Sequence, residues 1–223
     1  MQAALIRRSD AVSDEDMAFA VKAINKQGFE FARAWGMDPQ PLAFYTRDGG
    51  FPDGSFHVMS VVDDVSAAGV VGFHDSWAGV VSAQAKASGA FTTVIIGHEH
   101  LEMARNPNLN RWVRMPDGRE VAEEVCDAVQ ADTYLERVEI MGEWRDVQLP
   151  NYLLPSWFDA SGRYPFDRMG KLSAPFTMTP GGYIIVRGAD RRISNVFASG
   201  LPTGFDVKLA DPVSRLNLIR GAA

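Results

Sequence analysis

The stretch Gly97-His98-Glu99-His100-Leu101-Glu102 sets an imidazole and a carboxylate four residues apart. On a helix, positions i and i+4 share one face, with Cβ atoms about 5–6 Å apart. That is the reach needed to grip one divalent ion between His98 and Glu102. Glu99 stands one residue on, towards the side where a metal-activated water would sit, and is the expected general base. The logic is that of a His-Glu-x-x-His helix, where two ligands at i and i+4 hold zinc and the intervening glutamate takes the proton. Here the second ligand is a glutamate. The set is therefore harder than the usual zinc set, and manganese, magnesium and calcium join zinc as candidate ions.

A metal needs at least one further protein ligand. By type, His57 and His74 qualify, as does the acidic group Glu123, Glu124 and Asp127. Asp127 is the preferred third ligand and Glu124 the second choice. The plainer readings are a solvated Glu99 and His100, surface charges at Glu124 and Asp127, and a loop or core hydrogen-bonder at His74. Against them stands the apolar run Val94-Ile95-Ile96 directly before the motif. It implies a buried helix, on which three ionisable residues are costly unless paired or bound to metal. Other chemistries lack their signatures: there is no G-x-S-x-G elbow and no Walker A loop. Cys126 reads as a small buried residue.

The elements that must hold this motif follow from pattern. Thr92 to Arg105 is expected to be largely one buried helix, ended by Asn106-Pro107. Residues 14–35 predict an amphipathic helix with Ser13 as N-cap, three acids in its first turn, and Gly36 and Pro39 beyond its end. Strands are expected at Leu42–Thr46, Phe56–Val62, Val70–Phe73 and Val80–Ala85, with a loop through Gly49–Gly54 and a polar loop containing His74, Asp75 and Ser76. In the second half, Val121–Val129 forms a short element and a hairpin is expected around Gly142. An irregular aromatic stretch runs from Pro150 to Pro180, and a last core strand covers Gly182–Val186.

The 223 residues suffice for one sizeable core or two small ones. A net charge of −6, without a basic cluster, argues against nucleic acid as a partner. No run of about 18 apolar residues offers a membrane span, and the N-terminus does not read as a secretory signal. A single cysteine rules out an internal disulfide.

The run His98-Glu99-His100-Leu101-Glu102-Met103, then Asn106-Pro107 and Asn110-Arg111-Trp112, resembles a family of phage- and prophage-encoded zincin-like metallopeptidases. The resemblance continues through Asp117-Gly118-Arg119-Glu120, Glu124-Val125-Cys126-Asp127-Ala128-Val129, Leu154-Pro155-Ser156-Trp157-Phe158, Pro175-Phe176 and Gly181-Gly182-Tyr183. Upstream, Val71-Gly72-Phe73-His74-Asp75 matches the segment ahead of the family's motif helix. The family often has Ser where Gly97 stands, usually has Asp where Asn106 stands, and usually has an apolar residue where His100 stands.

The resemblance implies an α+β, zincin-like fold, with residues 1–190 as the metal-binding domain and 191–223 as a C-terminal extension that could dock on a partner subunit. In that architecture a mixed sheet from residues 42 to 85 packs on the two helices. Val80–Ala85 is its edge strand beside the cleft, and Tyr152–Phe158 forms the opposite wall. It further implies His98, Glu102 and Asp127 as ligands of one divalent metal, zinc before Mn, Mg or Ca, and Glu99 as base. The expected activity is hydrolysis of a peptide bond in a peptide or protein substrate. The alternative is a virion structural or assembly protein that keeps the fold without catalysis and has other virion proteins as partners. Either is expected in the host cytoplasm during expression, with association to the virion.

Overall fold

The computed structural model describes residues 3–46, 57–63, 72–74, 78–82 and 92–198. The loop expected through Gly49–Gly54, the loop residues Asp75 and Ser76, and the part of the expected extension after residue 198 lie outside them.

The chain opens with a strand that the pattern of the sequence did not announce. β1 (Ala3–Arg7) is a short apolar run with no alternation, and its first four residues are all buried. Such a run fits a strand covered on both faces of a parallel sheet. It lies between β2 (Leu42–Tyr45) and β3 (His57–Val62), parallel to both. With β4 (Gly72–His74) and β5 (Ala78–Ser82) they make a five-stranded sheet of order β2-β1-β3-β5-β4. β5 runs parallel to β3, and β4 antiparallel to β5. The expected edge strand is thus corrected. The residues near Val80 pair on both sides, with Ser60 of β3 and Phe73 of β4, so the edge belongs to β4.

α1 (Asp14–Trp35) covers this sheet over the expected residues. The Ser13 side chain accepts the Asp16 N–H, three acids occupy the first turn, and Gly36 closes the helix in the left-handed conformation. α2 (Thr92–Arg105) is the motif helix, again as expected. Its first five residues are all β-branched, a poor start for a helix. Burial overrides propensity: Ile95 and Ile96 enter the core, and the Thr93 hydroxyl donates to the Gln148 carbonyl at 2.7 Å.

The second half adds two antiparallel units. β6 (Trp112–Arg114), β7 (Glu120–Ala122), β10 (Tyr183–Arg187) and β11 (Ile193–Phe197) form a sheet of order β11-β10-β7-β6. The first described part of the expected extension therefore pairs with β10. β8 (Thr133–Ile140) and β9 (Glu143–Pro150) form a hairpin closed by Met141-Gly142, both at positive φ, as a tight two-residue turn demands. Short 3-10 helices cover Asp127–Val129 and Pro155–Phe158.

The molecule is thus a mixed α+β fold, with two hydrophobic cores among the described residues. The first gathers β1, β3, α1 and the hairpin around Leu5, Ile24, Met59 and Leu149. The second gathers Phe31, Leu101, Val125, Trp157 and Ile184. Both helices contribute to both cores, which places α2 at their junction. The aromatic segment is corrected as well. Tyr152, Trp157 and Phe158 are at most 8% exposed and pack inside the second core, so they form no open wall. No described helix is long and apolar enough to cross a membrane.

Candidate metal centre

Four contacts zip the C-terminal part of α2 to the segment after β7, running in opposite directions. Arg105 Nη2 meets Glu123 Oε2 at 2.7 Å. Asn106 Nδ2 donates to Glu124 Oε1 at 2.9 Å. The Cys126 N–H donates to Glu102 Oε1 at 3.1 Å. Finally His98 Nε2 lies 3.2 Å from Asp127 Oδ1. This series joins residues 18 to 29 positions apart, with α2 on one side and the short 3-10 helix on the other.

At that point His98 Nε2 is also 3.2 Å from Glu102 Oε2. An imidazole N–H can aim along one direction only, yet two carboxylate oxygens face this nitrogen at equal distance. Asp127 Oδ1 is buried and accepts no hydrogen bond of proper geometry. A divalent cation would satisfy the ligand atoms of His98 and Glu102, with the Cys126 sulfur within 4.8 Å of both and the buried Asp127 Oδ1 3.2 Å from His98 Nε2. Tyr183, from β10, hydrogen-bonds the Asp127 carboxylate and steadies it.

The electrostatics agree. Burial works against a charged His98, but the carboxylates of Glu102 and Asp127 outweigh it and raise the imidazole well above its ordinary pKa. Burial, reinforced by the Glu102 charge, pushes Asp127 up to about 6. Burial opposes ionisation of Glu102 too, but His98 prevails and holds it below the usual carboxylate range. The trio thus sets two buried acids against one imidazole, a charge balance that a dication would compensate.

The sequence-selected residues divide as follows. His98, Glu102 and Asp127 come together. Glu99, the expected base, is 6% exposed and His100 3%, so neither is solvated. Glu99 Oε2 lies 2.9 Å from Nδ1 of His74, which stands at the end of the edge strand β4. Glu124 pairs with Asn106 beside the centre. His57 is buried on β3 and belongs to neither of the ligand groups found among the described residues. Two neighbours were given no role at the site by the sequence reading. Cys126 brings its sulfur within 4.8 Å of ligand atoms of His98 and Glu102. Tyr183 reaches Asp127 from a strand 56 positions on. Cys126 was expected to be a small buried residue and is buried, with adjacency to Asp127 as its one signal for the site; Tyr183 carried no local signal of a tie to Asp127.

No family model, curated protein or solved structure matches the chain. The site therefore stands on its own geometry.

Three residues on or beside α2 have structural reasons of their own. Gly97 lies under β9: a Cβ there would fall 2.8 Å from Pro150 Cδ. The Asn106 Oδ1 accepts the N–H groups of Asn110 and Arg111, which turns its Nδ2 towards Glu124. An aspartate would have no donor to offer Glu124. His100 faces α1, with Nε2 3.6 Å from where a Cβ on Gly28 would stand. Burial lowers its pKa to about 4, so it is a neutral core residue.

Proposed function

We propose that the chain is a metal-dependent peptidase of zincin type, with His98, Glu102 and Asp127 holding one divalent ion and Glu99 as general base. The approach of the buried carboxylates of Glu102 and Asp127 to one nitrogen of the partly buried His98, each at 3.2 Å, carries this reading. The order of a sheet, a covering helix and a motif helix supports it, as does the resemblance to phage and prophage metallopeptidases drawn from the sequence.

A divalent ion held there supplies Lewis-acid polarisation of a peptide carbonyl and makes a neighbouring water more acidic. The rest falls to the protein. Glu99 follows His98 directly on α2, beside the ligand set, and its carboxylate accepts the water's proton and returns it to the leaving amine. His74 fixes Oε2 of that carboxylate at 2.9 Å, which leaves Oε1 to meet the water. Among the described residues, β4 has a strand neighbour on one side only. An extended peptide can add to its other side through main-chain hydrogen bonds, next to the residue that holds Glu99.

The test is metal content by mass spectrometry, wild type beside His98→Ala, followed by turnover of mixed peptides by Glu99→Gln. Near one equivalent of metal in the wild type, lost in His98→Ala, is expected. Glu99→Gln should retain the metal and lose roughly 10²–10⁴-fold in turnover, the usual range for a general base. Turnover unaffected by Glu99→Gln would overturn the assignment.

A further inference from the structure

The centre contains a second set of convergent ligands that the peptidase reading does not use. One ring nitrogen of His74 and one carboxylate oxygen each from Glu99 and Glu102 lie within 4.8 Å of one another, and all three residues are buried. The set shares Glu102 with the His98 group. His74 arrives from the edge strand, so the two sets are built from different parts of the fold.

The His74 ring is 2% exposed and Nδ1 faces Glu99, yet its Nε2 has no hydrogen-bond partner. A buried imidazole nitrogen without a partner is costly, whether it carries a proton or a bare lone pair. His74 Nδ1 lies 2.9 Å from Glu99 Oε2, and the pair sits against a further carboxylate, Glu102. A cation held by this set would gain one imidazole and two carboxylates, a donor set suited to zinc and similar borderline ions.

The geometry points to a second divalent-cation site on His74, Glu99 and Glu102, overlapping the first through Glu102. It rests on the proposed function only in what filling it does: an ion there ties up Glu99, so occupancy silences the base. The second ion binds more weakly than the first. It must break the His74–Glu99 hydrogen bond, share a carboxylate already engaged, and enter beside another positive charge. The protein is then active with one equivalent of metal and inhibited by excess.

The test counts zinc per protein chain by mass spectrometry after equilibrium dialysis against rising free zinc. The expected wild-type curve climbs to one equivalent, then to two. His74→Asn keeps a hydrogen-bond donor facing Glu99, which guards the fold, but offers no imidazole; its curve should stop at one. A wild-type curve that levels at one equivalent held by His98 overturns the second site and leaves the peptidase reading standing. A second equivalent that survives His74→Asn also overturns it. Two-step binding without any peptide turnover supports the site and sinks the peptidase reading. A single equivalent lost in His74→Asn but kept in His98→Ala assigns the ion to this set and removes it from His98.

Discussion

Pro150 closes over Gly97, its Cδ lying 2.8 Å from where a Cβ would stand. In an ordinary helix interior, Gly→Ala gains about 1 kcal/mol. Here the methyl group has no room, and overpacking costs about 1–3 kcal/mol. Pro150 is tied down further: its carbonyl accepts the Gln27 amide at 2.7 Å. Gly97→Ala should therefore lower the thermal midpoint by a few degrees despite its better helix propensity. A midpoint that rises would show that β9 yields easily.

Asn106 serves as both acceptor and donor, and only an amide does both. Asn106→Asp keeps the two backbone hydrogen bonds but sets a second carboxylate against Glu124 Oε1, now 2.9 Å from the amide nitrogen. Like charges at that range raise a carboxylate pKa. A raised acid binds more protons folded than unfolded, so the variant loses stability as pH rises from about 4. Urea melts at pH 5 and pH 8 should show a deficit of roughly 1–3 kcal/mol at pH 8 that shrinks at pH 5. An equal deficit at both would mean that the pair relaxes apart.

The amphipathic period of α1, its capping serine and the motif of α2 are local signals, so both helices and the positions of His98, Glu99 and Glu102 could be read directly. β1 could not. Ala3 to Ile6 is too short and even to show a period, and its partners lie at Leu42 and His57. The same holds for the edge strand, because β4 and β5 both look like short apolar runs and pairing alone orders them. Asp127 could be nominated by type, but its meeting with His98 depends on the opposed contacts from Arg105–Glu123 down to Glu102–Cys126. The aromatic residues from Tyr152 to Phe158 gave no period, and their burial against Phe31 and Leu101 is wholly tertiary.

Metal binding should be visible as stability. A ligand at a hundred times its Kd adds about 2.7 kcal/mol. For a chain of this size that is about 5–10 °C in thermal midpoint. Treatment with a chelator should lower the midpoint, one equivalent of zinc should restore it, and His98→Ala should recover far less at that equivalent. A full shift at one equivalent that persists in His98→Ala would place the first ion elsewhere.

Asp127 and Cys126 both stand close enough to complete the ligand set, and their chemistry separates them. A thiol binds metal as thiolate. Burial and then the nearby carboxylates, Glu102 foremost, push the Cys126 thiol well above its ordinary pKa. Asp127 offers a bare oxygen already 3.2 Å from His98 Nε2. Asp127→Ala should therefore lose the metal, while Cys126→Ala keeps it. With cobalt in place of zinc, the absence of a sulfur-to-metal charge-transfer band would confirm an oxygen donor, and its presence would exchange the two roles.

His100 gives the fold an acid limit independent of the metal. It is two residues from His98 on α2, roughly 200° around the helix, and points at α1. Burial, only partly offset by a backbone contact at Gln40, lowers its pKa from 6.5 to about 4. The unfolded chain therefore binds the proton first. The contribution to stability is complete above pH 6.5 and is lost as the pH falls towards 4. At about 1.4 kcal/mol per pH unit, the loss across that window is on the order of 3 kcal/mol. In His100→Leu no proton is taken up at this position, so chelator-treated protein should melt with a flatter dependence between pH 6.5 and 4. Parallel curves for variant and wild type would mean that the imidazole finds a partner when charged.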